Sequence, residues 1–243
     1  MNVKVTAMLT SPLVLSAEGY GPELDAVVEW CIAQRQRTIS ESSGGRHLAR
    51  MSRADAISKP GTLWTPFERE SHGKLVIPRV SSCILPEHSE HHDYIAKRFP
   101  LEMLPAMGAG DRTGKVNITG GEYKSWYLPL RTTVVDRICW FAALRSRKDL
   151  GDAPMSVLRR WLKRVSAVGK KSAHGYGRVV EWRVEPIEHD YSWFADSPCG
   201  QVLMRRLPVN LITDNVIGWR PWYGGCCPPY WERSFHVEIA VPC

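Results

Sequence analysis

Apolar and polar positions alternate from the second residue onward. Val3, Val5, Ala7 and Leu9 are interleaved with Asn2, Lys4, Thr6 and Met8, and a period of two predicts a strand with one buried face. Gly19 to Pro22 breaks the pattern. Leu24, Val27, Val28, Cys31 and Ile32 then recur at the spacing of a helix face. Leu75 to Leu85 reads as a strand of edge character, because Pro78 has no N–H to give to a ladder. Thr133 to Leu144 is a run of β-branched, aromatic and other apolar residues and predicts an interior strand. Met155, Leu158, Leu162 and Val165 mark the stripe of a second helix, with Pro154 at its first position and Gly169 just past its end. Val180, Trp182 and Val184 alternate with Glu181, Arg183 and Glu185, which predicts a further strand. The order strand, helix, strand, strand, helix, strand predicts an α+β protein with a ferredoxin-like βαββαβ core, two helices covering one face of an antiparallel sheet.

This core, residues 1–186, carries insertions at about 38–73 and 107–128. Thr38 to Gly73 has weak periodicity and the breaks Gly44-Gly45 and Pro60-Gly61, the pattern of an inserted loop or arm. Glu87-His88-Ser89-Glu90-His91-His92-Asp93 places histidines beside carboxylates, as a metal or acid–base site would. It lacks the His-Glu-x-x-His spacing, and the favoured reading is a polar surface loop. Met107 to Trp126 is glycine-rich and holds Lys115, Lys124 and Trp126; a hairpin of this composition suits contact with single-stranded nucleic acid, the alternative being an ordinary hairpin with a packed Trp126. Residues 187–243 are rich in Trp, Pro and Gly and read as a C-terminal extension or degenerate half-domain. Arg205-Arg206-Leu207-Pro208 stands out there, and Phe235 to Val241 alternates like a returning strand.

The 243 residues carry a formal net charge of +7 and a pI of about 9.1, which favours an acidic partner. The excess is clustered: ten Lys/Arg between Arg145 and Arg178 are opposed only by Asp149 and Asp152. No apolar run approaches the ~20 residues of a membrane span, and no signal-peptide pattern opens the chain, so a cytoplasmic location and no membrane partner are expected. The seven cysteines include no Cys-x-x-Cys and read as reduced thiols, with no metal or other cofactor expected.

The basic cluster surrounds the most distinctive stretch, Lys170-Lys171-Ser172-Ala173-His174-Gly175-Tyr176-Gly177-Arg178. Glycines at 175 and 177 allow a bulky ligand to approach the main chain, and exposed N–H groups in such a turn form an anion-binding concavity. Lys170, Lys171 and Arg178 add charge for phosphates, and His174 or Tyr176 offers a ring for a base. The plain alternative is a helix-to-strand connection with a solvated basic rim. Neither a phosphate-binding P-loop nor a dinucleotide fingerprint fits, because the required preceding glycine is Arg164 and the third glycine is Val180.

Together these motifs resemble a known family. The helix, Val168-Gly169-Lys170-Lys171, Gly175-Tyr176-Gly177-Arg178-Val179 and a strand with Trp182 are similar to the glycine-rich loop of the CRISPR-associated RAMP superfamily. The opening strand ending Thr10-Ser11-Pro12-Leu13-Val14, the helix start Leu24-Asp25-Ala26 and the later Arg206-Leu207-Pro208 fit the same order. The combination most resembles the type IV effector subunit equivalent to Cas family five (Csf subunit three). The resemblance implies a ferredoxin-like, RRM-type core with a protruding thumb. It implies a non-catalytic subunit that binds the 5′ handle of the guide RNA and caps a filament of backbone subunits. It also implies contact with the large subunit near the target DNA. Expected RNA-binding residues are Lys170, Lys171, Ser172, His174, Gly175, Tyr176, Gly177, Arg178, Lys115, Lys124, Trp126, Arg205 and Arg206, with Lys115–Trp126 or Thr38–Gly73 as the thumb. The alternatives are a metal-independent endoribonuclease using His47, His174 or His236, and a standalone nucleic-acid-binding module.

Overall fold

The structure, a computed structural model, describes residues 1–15, 21–42, 65–97, 125–145, 153–228, 230 and 232–242. The described residues form an α+β arrangement with several small sheets and two hydrophobic cores.

The first core is built on β1 (Asn2–Leu9), which lies between β7 (Arg137–Ala143) and β8 (Val179–Ile187) and runs antiparallel to both. Its period of two sets the register: Val5 faces Trp140 on one side and Val184 on the other, and Ala7 faces Ile138 and Trp182. Val3, Val5, Ala7 and Leu9 are buried against α1 (Leu24–Ser42) and α2 (Pro154–Leu162) through Leu24, Val28, Cys31, Ile32, Leu158 and Leu162. Both helices therefore cover the same sheet face. Two indoles close this layer with their N–H groups satisfied: Trp140 Nε1 donates to the Pro22 carbonyl and Trp182 Nε1 to the Val165 carbonyl, both at 2.9 Å. The outer edge of β7 is taken by an irregular segment, residues 79–84. Ser81 N donates to the Phe141 carbonyl at 2.7 Å, Ile84 N to the Cys139 carbonyl at 2.8 Å, and Cys139 N back to the Ile84 carbonyl at 3.1 Å. Its bridges to β7 are antiparallel, so it runs parallel to β1.

The second core gathers the C-terminal region. β10 (Gly200–Leu203) pairs with β9 (Phe194–Ser197) and β12 (Val216–Ile217), and β14 (Val237–Pro242) pairs with β11 (Leu207–Pro208) and β13 (Trp219–Gly224). Trp193, Leu203, Leu207, Cys226, Cys227, Ile239 and Val241 pack with Leu75 and Ile77 of a hairpin, β3 (Arg69–His72) and β4 (Leu75–Pro78). The C-terminal region thus has its own interior, completed by a hairpin from earlier in the chain.

Arg205 joins the two cores. It is 1% exposed. Its Nη1 donates to the Val80 carbonyl at 2.8 Å, and its Nη2 donates to Asp25 Oδ2 at 3.1 Å, the Cys226 carbonyl at 2.9 Å and the Tyr230 hydroxyl at 2.5 Å. Tyr230 in turn donates to Asp25 Oδ2 at 2.8 Å. Two further acids of the same helical end are held similarly: Glu23 by Arg206 and Glu29 by Arg69, each at 2.7 Å. Burial pushes the Glu29 carboxyl up to about 7 despite its arginine, with the Asp25 charge adding to the shift.

Several sequence expectations change. The run Thr133–Leu144 is not one strand: Val135 and Asp136 turn the chain between β6 (Trp126–Val134) and β7. Glu87–Asp93 is not a loop throughout, because β5 (Ser89–Lys97) begins at Ser89. α2 ends at Leu162, and Gly169 belongs to the following turn rather than to the helix end. The expected 38–73 insertion overlaps the end of α1, which runs to Ser42, and contains β3; residues 43–64 lie outside the described residues.

Arg205→Ala leaves the buried Asp25 carboxylate without its cation, a defect that costs about 3–5 kcal/mol. Urea unfolding of the variant is expected to show that loss. A change under 1 kcal/mol would mean that Arg205 does not join the cores.

Candidate nucleic-acid interface

The glycine turn follows from how α2 ends. Lys163, Arg164 and Val165 bond back to Arg159, Trp161 and Leu162 as the last turn tightens. Val165 and Val168 then drop into the first core. Val168 N donates to the Gly177 carbonyl at 2.8 Å, and Ala167 bridges Arg178 antiparallel, so residues 169–176 form a closed excursion between helix and strand. Gly169, Lys171 and Gly175 within it, and Gly177 at its close, all have positive φ. Among the described residues Lys171 is the sole non-glycine there, at φ 62°, and such a conformation costs a side-chain-bearing residue about 1–2 kcal/mol. It precedes a single 3₁₀ turn, Ser172–His174.

Main-chain bonds dock this excursion on residues 10–14. Lys170 N donates to the Val14 carbonyl at 2.9 Å and Gly177 N to the Pro12 carbonyl at 2.8 Å. Arg178 N donates to Ser11 Oγ at 2.9 Å. The docking explains two glycines. A Cβ on Gly177 would lie 1.9 Å from the Val168 carbonyl oxygen, and one on Gly169 would lie 2.8 Å from Leu13 Cδ1. Gly177 is therefore required by internal packing, not by ligand approach as its sequence context suggested. Gly175 faces open space and is the glycine a ligand can approach.

Because the anchors are mostly backbone groups, the charged side chains stay outside. Lys170, Lys171, Ser172, His174 and Arg178 are exposed. Tyr176 is half-buried, and its hydroxyl donates to Asp93 Oδ2 at 2.5 Å. That bond pushes the phenol up and, with the Tyr94 N–H, holds the Asp93 carboxyl below the usual carboxylate range.

Asp93 sits on a two-stranded ribbon of β5 and β6. The register runs from Ser89 opposite Val134 to Lys97 opposite Trp126. Nearly every β5 residue is exposed, and burial in β6 is confined to Leu130, Thr132 and Thr133 near its base. There β2 (Leu13–Val14) pairs with Thr133 and Thr132. Residues 10–14 therefore support the ribbon and the glycine turn together. Strand alternation places Lys97 and Trp126 on the same ribbon face as Asp93, the face bonded to the turn. The other face carries Tyr94 stacked on Tyr127 at 4.8 Å and the Arg131–Glu90 ion pair.

The predicted residues separate into three groups. Lys170 to Arg178 come together beside the base of the ribbon, and Trp126 lies on the same ribbon face as Asp93 but at the ribbon's far end, opposite Lys97. Lys115, Lys124 and His47 lie outside the described residues. Arg205 is a correction: it cannot meet a phosphate because its guanidinium is buried in the Asp25–Tyr230 network. Arg206 is half-buried against Glu23, at the rim of a cleft beside the turn. Of the candidate histidines, His174 is exposed on the turn, and His236 Nε2 lies 3.0 Å from the Tyr230 carbonyl. Sequence reasoning placed Asp93 in a surface loop and missed Tyr94 and Arg131, because a strand exposed on both faces has no apolar alternation to announce it.

No protein-family model matches the chain, and a search of curated proteins finds no match. Among the described residues no helix is long and apolar enough to cross a membrane.

The two glycines are expected to respond differently to alanine. Gly177→Ala drives a Cβ into the Val168 carbonyl and should abolish soluble, folded protein or lower its melting temperature severely. Gly175→Ala meets no atom and costs only the positive φ, about 1–2 kcal/mol. Circular dichroism melts of the two variants check this; equal losses would contradict the packing role of Gly177.

Proposed function

We propose that the protein is a non-catalytic, RNA-binding subunit of a type IV CRISPR effector complex, and that its glycine turn and ribbon hold the 5′ handle of the guide RNA. The observation that carries this reading is the turn itself: Lys170, Lys171, His174 and Arg178 are exposed on a backbone-docked excursion that is bonded through Tyr176 to a protruding ribbon. An exposed row of cations around an open glycine suits a phosphate backbone. An exposed indole farther along the same ribbon face, Trp126, suits an unstacked base.

The arrangement of the first core supports the family reading. β1 lies centrally between β7 and β8, residues 79–84 flank β7, and both helices cover one face. This is the order a ferredoxin-like βαββαβ core requires. In this reading the ribbon β5–β6 is the thumb, in place of Lys115–Trp126 alone or Thr38–Gly73. The protein binds guide RNA through handle shape and backbone, caps the filament of backbone subunits, and lies near the large subunit and target DNA.

The test uses full-length protein and end-labelled repeat RNA in EDTA, resolved on native and denaturing gels from one tube. A shifted, intact RNA is expected. Replacing Lys170, Lys171 and Arg178 by alanine should release the RNA, and the slope of log K against log salt should fall in magnitude by about 2, near 0.7 per lost phosphate contact on a single strand. Unchanged retention would overturn the site, and a shortened RNA would overturn the non-catalytic role.

A further inference from the structure

Behind the glycine turn lies a cleft of about 670 Å³, within the roughly 300–1,000 Å³ range of small-ligand sites. One wall is α1, presenting Val27 and Trp30; the opposite wall is the turn, presenting Val168, Lys170 and Ser172. Trp30 is 40% exposed, an unusual exposure for an indole with an apolar cleft beside it. The polar end is formed by Glu23, Arg206 and Tyr230.

Glu23 carries an unmet requirement. It is 8% exposed. Its Oε1 accepts from Arg206 Nη2 at 2.7 Å and from Ser82 Oγ at 3.4 Å, but its Oε2 is buried with no hydrogen-bond partner. Buried carboxylate oxygens are satisfied as a rule; among the described residues Glu23 Oε2 and Asp25 Oδ1 are both unmet, and of these two acids Glu23 is the one that lines the cleft. The slot opens beside the cations of the turn. The Arg205 network reaches it through Tyr230, whose hydroxyl is already bonded to Arg205 and Asp25.

We infer that this cleft receives one unstacked nucleobase bearing an exocyclic amino group, with its ring against Trp30, its amino group donating to Glu23 Oε2 and its phosphate toward Lys170 and Ser172. The inference rests on the nucleic-acid reading of the turn and gives that site a base preference. Cytosine and uracil separate the chemistry. They have similar rings, but cytosine presents an N4 amino donor where uracil presents an O4 acceptor. Against Glu23 Oε2 the first makes a charge-assisted hydrogen bond, and the second leaves two acceptors facing each other. The same chemistry serves a base within a strand or a free nucleotide.

The experiment measures fluorescence-anisotropy affinities of full-length protein for oligo(C) and oligo(U) decamers. It is run at pH 8, because burial pushes the Glu23 carboxyl up and a higher pH favours its ionised, accepting form. Ala26, which lines the cleft and is half-buried, is replaced by phenylalanine to fill it, with a melt to check the fold. The expected result is oligo(C) bound about 10-fold more tightly than oligo(U), a difference of about 1.4 kcal/mol, and A26F retaining oligo(U) affinity while losing the preference. Binding without preference, or a preference that survives in A26F, overturns the base pocket while leaving the RNA reading intact. If neither decamer binds, the RNA reading fails, and quenching of tryptophan fluorescence by CMP and UMP decides the cleft. Quenching by CMP alone that A26F removes supports it as a free-nucleotide site; equal or absent quenching overturns it.

Discussion

Three buried carboxylates at one end of α1, each answered by an arginine from elsewhere in the chain, determine how the rest is assembled. Glu23 meets Arg206, Asp25 meets Arg205 and Glu29 meets Arg69. Charges taken out of water are expensive, and they persist only where geometry and additional hydrogen bonds compensate. Here the compensation reaches across the whole molecule. Arg205 touches the carbonyls of Val80, beside β7, and Cys226, in the second core, as well as Asp25. Burying this network therefore requires both cores to be present and correctly placed. The bond from Ser82 N to the Met204 carbonyl at 2.7 Å reinforces the same junction, while the Trp193 indole, donating to the Pro78 carbonyl at 3.0 Å, ties the β3–β4 hairpin into the second core.

That junction fixes the back of the candidate interface, and the residues 10–14 segment fixes its front. The segment gives two carbonyls and a hydroxyl to the glycine turn and two residues of pairing to the base of the ribbon. The result is a division of labour between atom types. Main-chain groups carry most of the structural bonds, and Lys170, Lys171 and Arg178 are left at the surface. A turn held through its lysines would instead have consumed the charge that makes it a phosphate site. The positive φ of Lys171 fits this pattern, since strained backbone survives where surrounding bonds over-determine it.

Much of the first core was legible because each element has a single buried face. The alternation of Val3 to Leu9 and the stripe of Leu24, Val28, Cys31 and Ile32 describe their environments directly. The limits of α2 were less legible, since Val165 continues the helical spacing but is buried from the turn rather than from the helix. The ribbon was hidden for the opposite reason: His91, His92 and Asp93 form a strand without a buried face, and composition alone reads as a loop. Arg205 and Arg206 are adjacent in the same basic motif and have different fates. Arg205 completes a buried network whose partners lie 180 residues away at Asp25 and 25 residues away at Tyr230. Nothing local distinguishes it from a surface cation. Gly175 and Gly177 show the same limit at smaller scale: one faces open space and the other a carbonyl oxygen, and only tertiary packing separates them.

The most direct measurement of the central claim, that turn and ribbon form one RNA-binding surface, is hydrogen–deuterium exchange of the full chain with and without single-stranded repeat RNA. The account predicts new protection in peptides covering Lys170–Arg178 and Ser89–Lys97, with β9 to β14 unchanged. Protection confined to the C-terminal sheets, with the turn and ribbon exchanging as in the free protein, would contradict it.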